Sequence, residues 1–145
     1  MSANPDTRPV HVELHDARLA AAATTFHLGG AVVLQIAHLV TYHEIEPERF
    51  ALYSRAAELT FLGCRAAHLD GVLSDPSVVS EAHLLLGTDE QPLWKCLEDC
   101  SATAFTLVTT AGAQLALHIT GARLRLANPH RRLKDFEGPL VARPE

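Results

Sequence analysis

The chain has 145 residues, 48% of them hydrophobic, with seventeen acidic against twelve basic side chains and a formal charge of −5. That length accommodates one domain with a real core and leaves no room for two. The acidic balance argues against general nucleic-acid binding, which is driven by Lys and Arg neutralising phosphates.

Met1–Pro9 lacks the basic-then-apolar layout of a secretory signal. The longest apolar stretch, Ala31–Val40, is interrupted by Gln35 and His38 and falls far short of a membrane span. The cytoplasm is therefore the expected compartment. Cys64, Cys96 and Cys100 make an odd count at irregular spacing, which suits reduced thiols better than a disulfide framework, with a Cys96–Cys100 bridge as the alternative.

Residues 1–9 read as a loose tail. His11–Leu14 alternates, with Val12 and Leu14 on one side, and predicts a first strand ending at His15-Asp16. Arg18–His27 is pulled towards helix by Ala20–Ala23 and towards strand by Thr24, Thr25 and Phe26. Gly29-Gly30 settles it as a hairpin partner of the long strand Ala31–His43. That strand places Val32, Leu34, Ile36, His38, Val40 and Tyr42 on one face. Glu44–Ser54, with Pro47 near its start, reads as a loop or one helical turn.

The stretch Glu58–Leu69, ELTFLGCRAAHL, has an echo in Leu115–Leu126, LALHITGARLRL. Aligning Gly63 with Gly121 puts Leu59 over Leu117, Phe61 over Ile119, Cys64 over Ala122 and Arg65 over Arg123. Beyond Gly121 the apolar residues move to the other parity, at Ala122, Leu124 and Leu126. A straight strand cannot change parity, because a one-residue slip turns every side chain to the opposite face. A glycine at the change of phase is what a bulge or sheet corner needs. Two bent strands are predicted.

Between them, Asp70-Gly71 is a turn, Pro76–Glu81 a short helix or connector, Glu81–Leu86 a strand and Gly87–Pro92 a loop. Leu93, Cys96, Leu97 and Cys100 would line one face of a short helix. Thr103–Thr109 and Gln114–Thr120 are predicted strands of a hairpin turning through Thr110-Ala111-Gly112-Ala113. The fold class is thus mainly β, or α+β with minor helix: an antiparallel two-layer β-sandwich or a strongly bent sheet. Residues 10–127 form the single domain, and 128–145, with Pro129, Pro139, Pro144 and the basic His130-Arg131-Arg132-Lys134, form a surface tail.

Among nine histidines, the best local metal arrangement is His11-x-Glu13-x-His15. Alternate residues of a strand share a face, so two imidazoles and a carboxylate could converge on zinc. Ligands two apart sit about 6.5–7 Å apart along the backbone, so the outer pair would have to lean inwards. A solvated polar face opposite Val12 and Leu14 is the plainer reading. His38 is read as a hydrogen-bonded core histidine, His118 as outward-facing, and Cys64 as buried and structural rather than a nucleophile served by His68. No nucleophile elbow, phosphate-binding glycine loop or metalloprotease motif occurs. Arg131-Arg132 and Lys134 read as a solvated tail. An edge strand of the sheet is the more credible recognition surface, because its open backbone groups can add a partner strand.

Leu14-His15-Asp16, a long strand after a turn, and Leu59-x-Phe61-x-Gly63-Cys64 with an apolar-Asp-Gly ending together resemble small bacterial proteins of the polymorphic-toxin immunity class and related families of unknown function. The likeness runs over residues 11–126. It implies a β-rich two-layer domain that binds a cognate toxin and is not known to be catalytic. The alanine-rich second strand, the Trp94–Cys100 segment and the basic C-terminal stretch depart from the pattern. The expectation is a non-enzymatic cytoplasmic binding protein with a protein partner and no cofactor. The competing classes are a metal-dependent enzyme or zinc-binding protein using His11, Glu13 and His15, and a structural subunit or homo-oligomer.

Overall fold

The structure, a computed structural model, describes residues 9–20, 25–26, 32–71 and 77–137. Eleven strands are found there: β1 (His11–Leu19), β2 (Thr25–Phe26), β3 (Val32–Glu46), β4 (Arg49–Leu62), β5 (Ala66–Asp70), β6 (Ser77–Leu86), β7 (Asp89–Gln91), β8 (Cys100–Ser101), β9 (Ala104–Thr109), β10 (Gln114–His118) and β11 (Gly121–Glu137). All pairings are antiparallel, in the order β5-β10-β9-β6-β1-β3-β4-β11-β8, with β2 on β3 and β7 on β6. The chain is mainly β, in one strongly bent sheet.

The bend lies where the two echoed stretches meet. Each continues through its glycine from one half of the sheet to the other, and the two run antiparallel to one another. Leu62 pairs with Gly121, and His118 with Ala66. Between these ladders, Thr120 N–H donates to the Leu62 carbonyl at 2.9 Å and Arg65 N–H to the His118 carbonyl at 2.9 Å, so bonding crosses the corner unbroken. The corner faces three residues, 63–65, against two, 119–120, which is the mismatch that bends a ladder. Gly63 takes a left-handed φ of 59°, and a Cβ there would fall on the Thr120 hydroxyl. Gly121 is needed for a different reason: a Cβ on it would approach the Cys100 carbonyl to 3.1 Å.

The predicted change of parity is present. Leu59 and Phe61 are buried before Gly63 and Cys64 after it; Leu117 and Ile119 are buried before Gly121, and Ala122 and Leu124 after it. Between the two halves of the sheet lies one apolar core. Phe61 of β4 and Phe105 of β9, which are not neighbouring strands, meet across it at a centroid distance of 4.4 Å.

Several expectations are corrected. Glu44–Ser54 is neither loop nor helical turn: β3 runs to Glu46, turns through Pro47-Glu48 with Glu48 at a φ of 63°, and returns as β4. The first strand does not stop at Asp16, which adopts a φ of 66° inside β1. Ser77 onward is strand, not a short helix, and Asp89–Gln91 pairs with β6. Residues 128–137 are not a tail. They complete β11 against β4 as far as Glu137↔Arg49. The expected pairing of Arg18–His27 with the long strand is present where it is described, with Arg18 and Leu19, at the end of β1, opposite His38 and Ile36 and Thr25–Phe26 opposite Val33 and Val32, while residues 21–24 and 27 lie outside the described residues. Gly29-Gly30 and residues 1–8 and 138–145 lie outside the described residues. Among the described residues, no helix is long and apolar enough to cross a membrane.

Candidate functional site

A second line of irregularities, unmarked in the hydropathy pattern, crosses the sheet away from the glycine corner. On β3 the register shifts between Ile36 and Leu39, and on β11 between Leu126 and His130; both shifts lie opposite Ala56 of β4. On β1 it shifts between Glu13 and Arg18. Adjacent bulges re-aim the side chains that follow them. Beyond the shift, β3 buries Leu39, Thr41 and His43 instead of continuing the parity of Ile36. His38 is therefore exposed, correcting the core assignment, while His43 is buried, with Nε2 3.2 Å from Thr41 Oγ1 and its ring edge-on to Tyr53.

Past these bulges, Glu13, Val40, Ser54 and Arg131 are successive cross-strand partners on β1, β3, β4 and β11. Directly opposed residues project to the same face. Above this row lies a cleft of about 270 Å³, lined by Asp16, Arg18, His38, Ser54 and Arg131 among others. Ser54 is buried, and its hydroxyl is hydrogen-bonded to His38 Nδ1. The carboxylate of Asp16 pairs with His15, at 3.5 Å from Nε2, and is 74% exposed. The Ser54–His38 pair thus has no carboxylate bonded to its ring among the described residues, and the relay of a hydrolytic triad is not assembled.

The three residues considered for metal are parted by the bulge in β1. His11 stands edge-on to its cross-strand partner Tyr42 at 5.0 Å, and Tyr42 donates its hydroxyl to Glu13 Oε2 at 3.0 Å. His15 is turned towards β6, with Nδ1 2.6 Å from the Ser80 carbonyl. Two of the three share a tyrosine; the third serves another strand. Among the described residues, no three His, Cys, Asp or Glu side chains gather as a metal-ligand group.

Leu93–Glu98 forms a 3₁₀-helix with Leu93 and Cys96 buried. Cys96 Sγ lies 3.0 Å from Cys100 Sγ, and all three cysteines are free thiols. Burial, reinforced by the hydrogen bond and charge of Cys100, pushes the Cys96 thiol far above its ordinary range. Cys64 is buried, as expected of a structural cysteine.

The open side of the sheet is β5. Among the described residues it pairs with β10 alone, and every residue from Ala66 to Asp70 is exposed. Leu69 and Ala67 lie opposite Leu115 and Leu117, and so project to the side of the sheet that holds the core. Leu115 is 2% exposed, yet Leu69 is 42% exposed. The core stops one strand short of the sheet.

No known protein family, curated protein or solved structure matches this chain. What it does must be read from these surfaces. The edge could be anticipated from the sequence only in kind, since nothing in AAHLD says that the strand lacks a second neighbour among the described residues. The cleft was missed because its residues come from four strands, and because His38 sat on the apolar parity of an unbulged β3.

Proposed function

We propose that this chain is a non-enzymatic bacterial binding protein of the cytoplasm that receives an extended segment of a protein partner along the free edge of β5. The observation that carries the reading is Leu69, exposed on the core-facing side of the edge while its neighbour Leu115 is buried. A docked strand would satisfy the open backbone groups of β5 and cover Ala67 and Leu69 at the same time. Edge strands in monomers are usually blunted by Lys, Pro or bulges. Ala66–Asp70 has no Lys or Pro, and its register with β10 is unbroken over its whole length. The resemblance of Leu14-His15-Asp16 and Leu59-x-Phe61-x-Gly63-Cys64 to immunity proteins supports a toxin as the partner.

The test is binding of the protein encoded beside this one in the genome, measured by calorimetry with the wild type and with Leu69→Lys. A charge placed there opposes docking of an apolar strand without touching the packed core. Binding by the wild type and its loss in the variant supports the reading. Equal binding by both proteins removes β5 from it.

A further inference from the structure

Arg18 and Arg131 reach the same cleft from β1 and β11, and neither carries an ion pair among the described residues. The one carboxylate lining this cleft, Asp16, is largely solvated and is shared with His15. The floor beneath is polar: the buried Ser54 hydroxyl, hydrogen-bonded to the exposed His38 ring. The backbone under it is unusual as well, since β1, β3 and β11 all break register around this point and Asp16 holds a left-handed φ of 66°. Non-glycine residues in that region cost free energy, and such outliers concentrate at ligand sites.

From this arrangement we infer that the cleft between Arg18, His38, Ser54 and Arg131 binds the phosphate group of a small phosphate monoester. Two guanidiniums match the two negative charges of a phosphate, and their planar forks match its oxygens. The Ser54–His38 pair commits one proton to its own hydrogen bond and keeps one donor for the oxygen left over. A monocarboxylate brings one charge and two oxygens, which leaves one of the cations uncompensated. The site lies on residues separate from the β5 edge, so a small ligand and a docked strand need not compete.

Inorganic phosphate is the probe, titrated into the full chain at constant ionic strength and followed by calorimetry and by the His38 ring signals in NMR. Acetate is titrated in parallel. The expected result is saturable, one-to-one binding of phosphate with a shift of the His38 ring. Arg18→Gln and Arg131→Gln should each weaken it by about tenfold or more, the loss of one charge-assisted contact. Circular dichroism of both variants should be that of the wild type, because neither side chain is in the core. No saturable response to phosphate overturns the inference. An equal response to acetate overturns it too, since the cleft would then collect anions without selecting phosphate. Binding that survives the Arg18→Gln/Arg131→Gln double variant places any phosphate elsewhere and also rejects the site.

Discussion

Leu69 and Leu115 are direct cross-strand partners on one face of the sheet, and the first is 42% exposed while the second is 2% exposed. Burial of a leucine is a matter of what stands on either side of it. Leu115 has β5 and β9 as flanks; Leu69 has β10 alone among the described strands. Because it packs so little, Leu69→Lys should change folding stability by no more than about 0.5 kcal/mol, the usual range for surface sites. Urea unfolding should give the wild-type midpoint and slope. A loss of several times that amount would mean that Leu69 already has a covering.

The corner makes a sharper demand. Gly63→Ala meets a left-handed backbone and the Thr120 hydroxyl together. Gly112→Ala meets a φ of 94° with nothing within 4 Å of the added methyl. Backbone strain of order 1–3 kcal/mol attends each, and it is no smaller at a φ of 94° than at 59°, within the left-handed region, so any excess destabilisation of Gly63→Ala over Gly112→Ala comes from the packing of the corner. Chemical denaturation of the two variants should show Gly63→Ala as clearly the less stable. Equal midpoints would deny the close approach of the two bent strands.

That corner was legible in the sequence because two physical signals coincided at it: a glycine, and a switch of apolar parity from Leu117 and Ile119 to Ala122 and Leu124. The bulges around Ala56 carry neither signal on β3, where Ala37-His38 contains no turn residue and His38 continues the apparent alternation. On β11 the sign was present and was misread. Pro129 removes a backbone donor, which suggests the end of a sheet, yet it falls within the register shift between Leu126 and His130, where that donor is not required. The Pro47-Glu48 turn was likewise hidden, because Glu48 occupies a left-handed conformation that Gly or Asn would have announced. The openness of β5 depends on which strands are not beside it, and no local pattern records that.

The thiols should differ in reactivity. Cys64 and Cys96 are buried and Cys100 is partly exposed, and burial holds Cys96 in its unreactive protonated form. Iodoacetamide followed by peptide mass analysis should find Cys100 alkylated first, with Cys64 and Cys96 following only on unfolding. Early labelling of Cys96 would show that the 3₁₀-helix does not seal it.

Arg123 grips Asp99 through two contacts, Nε to Oδ1 at 2.5 Å and a terminal nitrogen to Oδ2 at 3.1 Å. The hydrogen bond from Arg123 is the main reason that the Asp99 carboxyl lies below its ordinary value of 3.8. A carboxylate with a depressed folded-state pKa stabilises above its unfolded value and loses that contribution as pH falls through the folded one. The stability gap between wild type and Asp99→Asn should therefore be present near neutrality and close in acid below the ordinary carboxylate range. The pair is exposed and screened, so raised salt should narrow the gap at neutral pH. A gap independent of pH would assign the effect of the variant to the turn at Asp99 rather than to its charge.

The open edge itself is tested most directly by amide hydrogen exchange in the free chain. Along Ala66–Asp70 the amides that face away from β10 should exchange nearly as in an unstructured peptide, while Leu115 and Leu117 of β10, flanked on both sides, stay strongly protected. Addition of the neighbouring gene product should then slow the β5 amides selectively. Protection of those outward amides equal to that of β10 in the free, dilute protein would mean that the edge is already occupied, and would contradict the account.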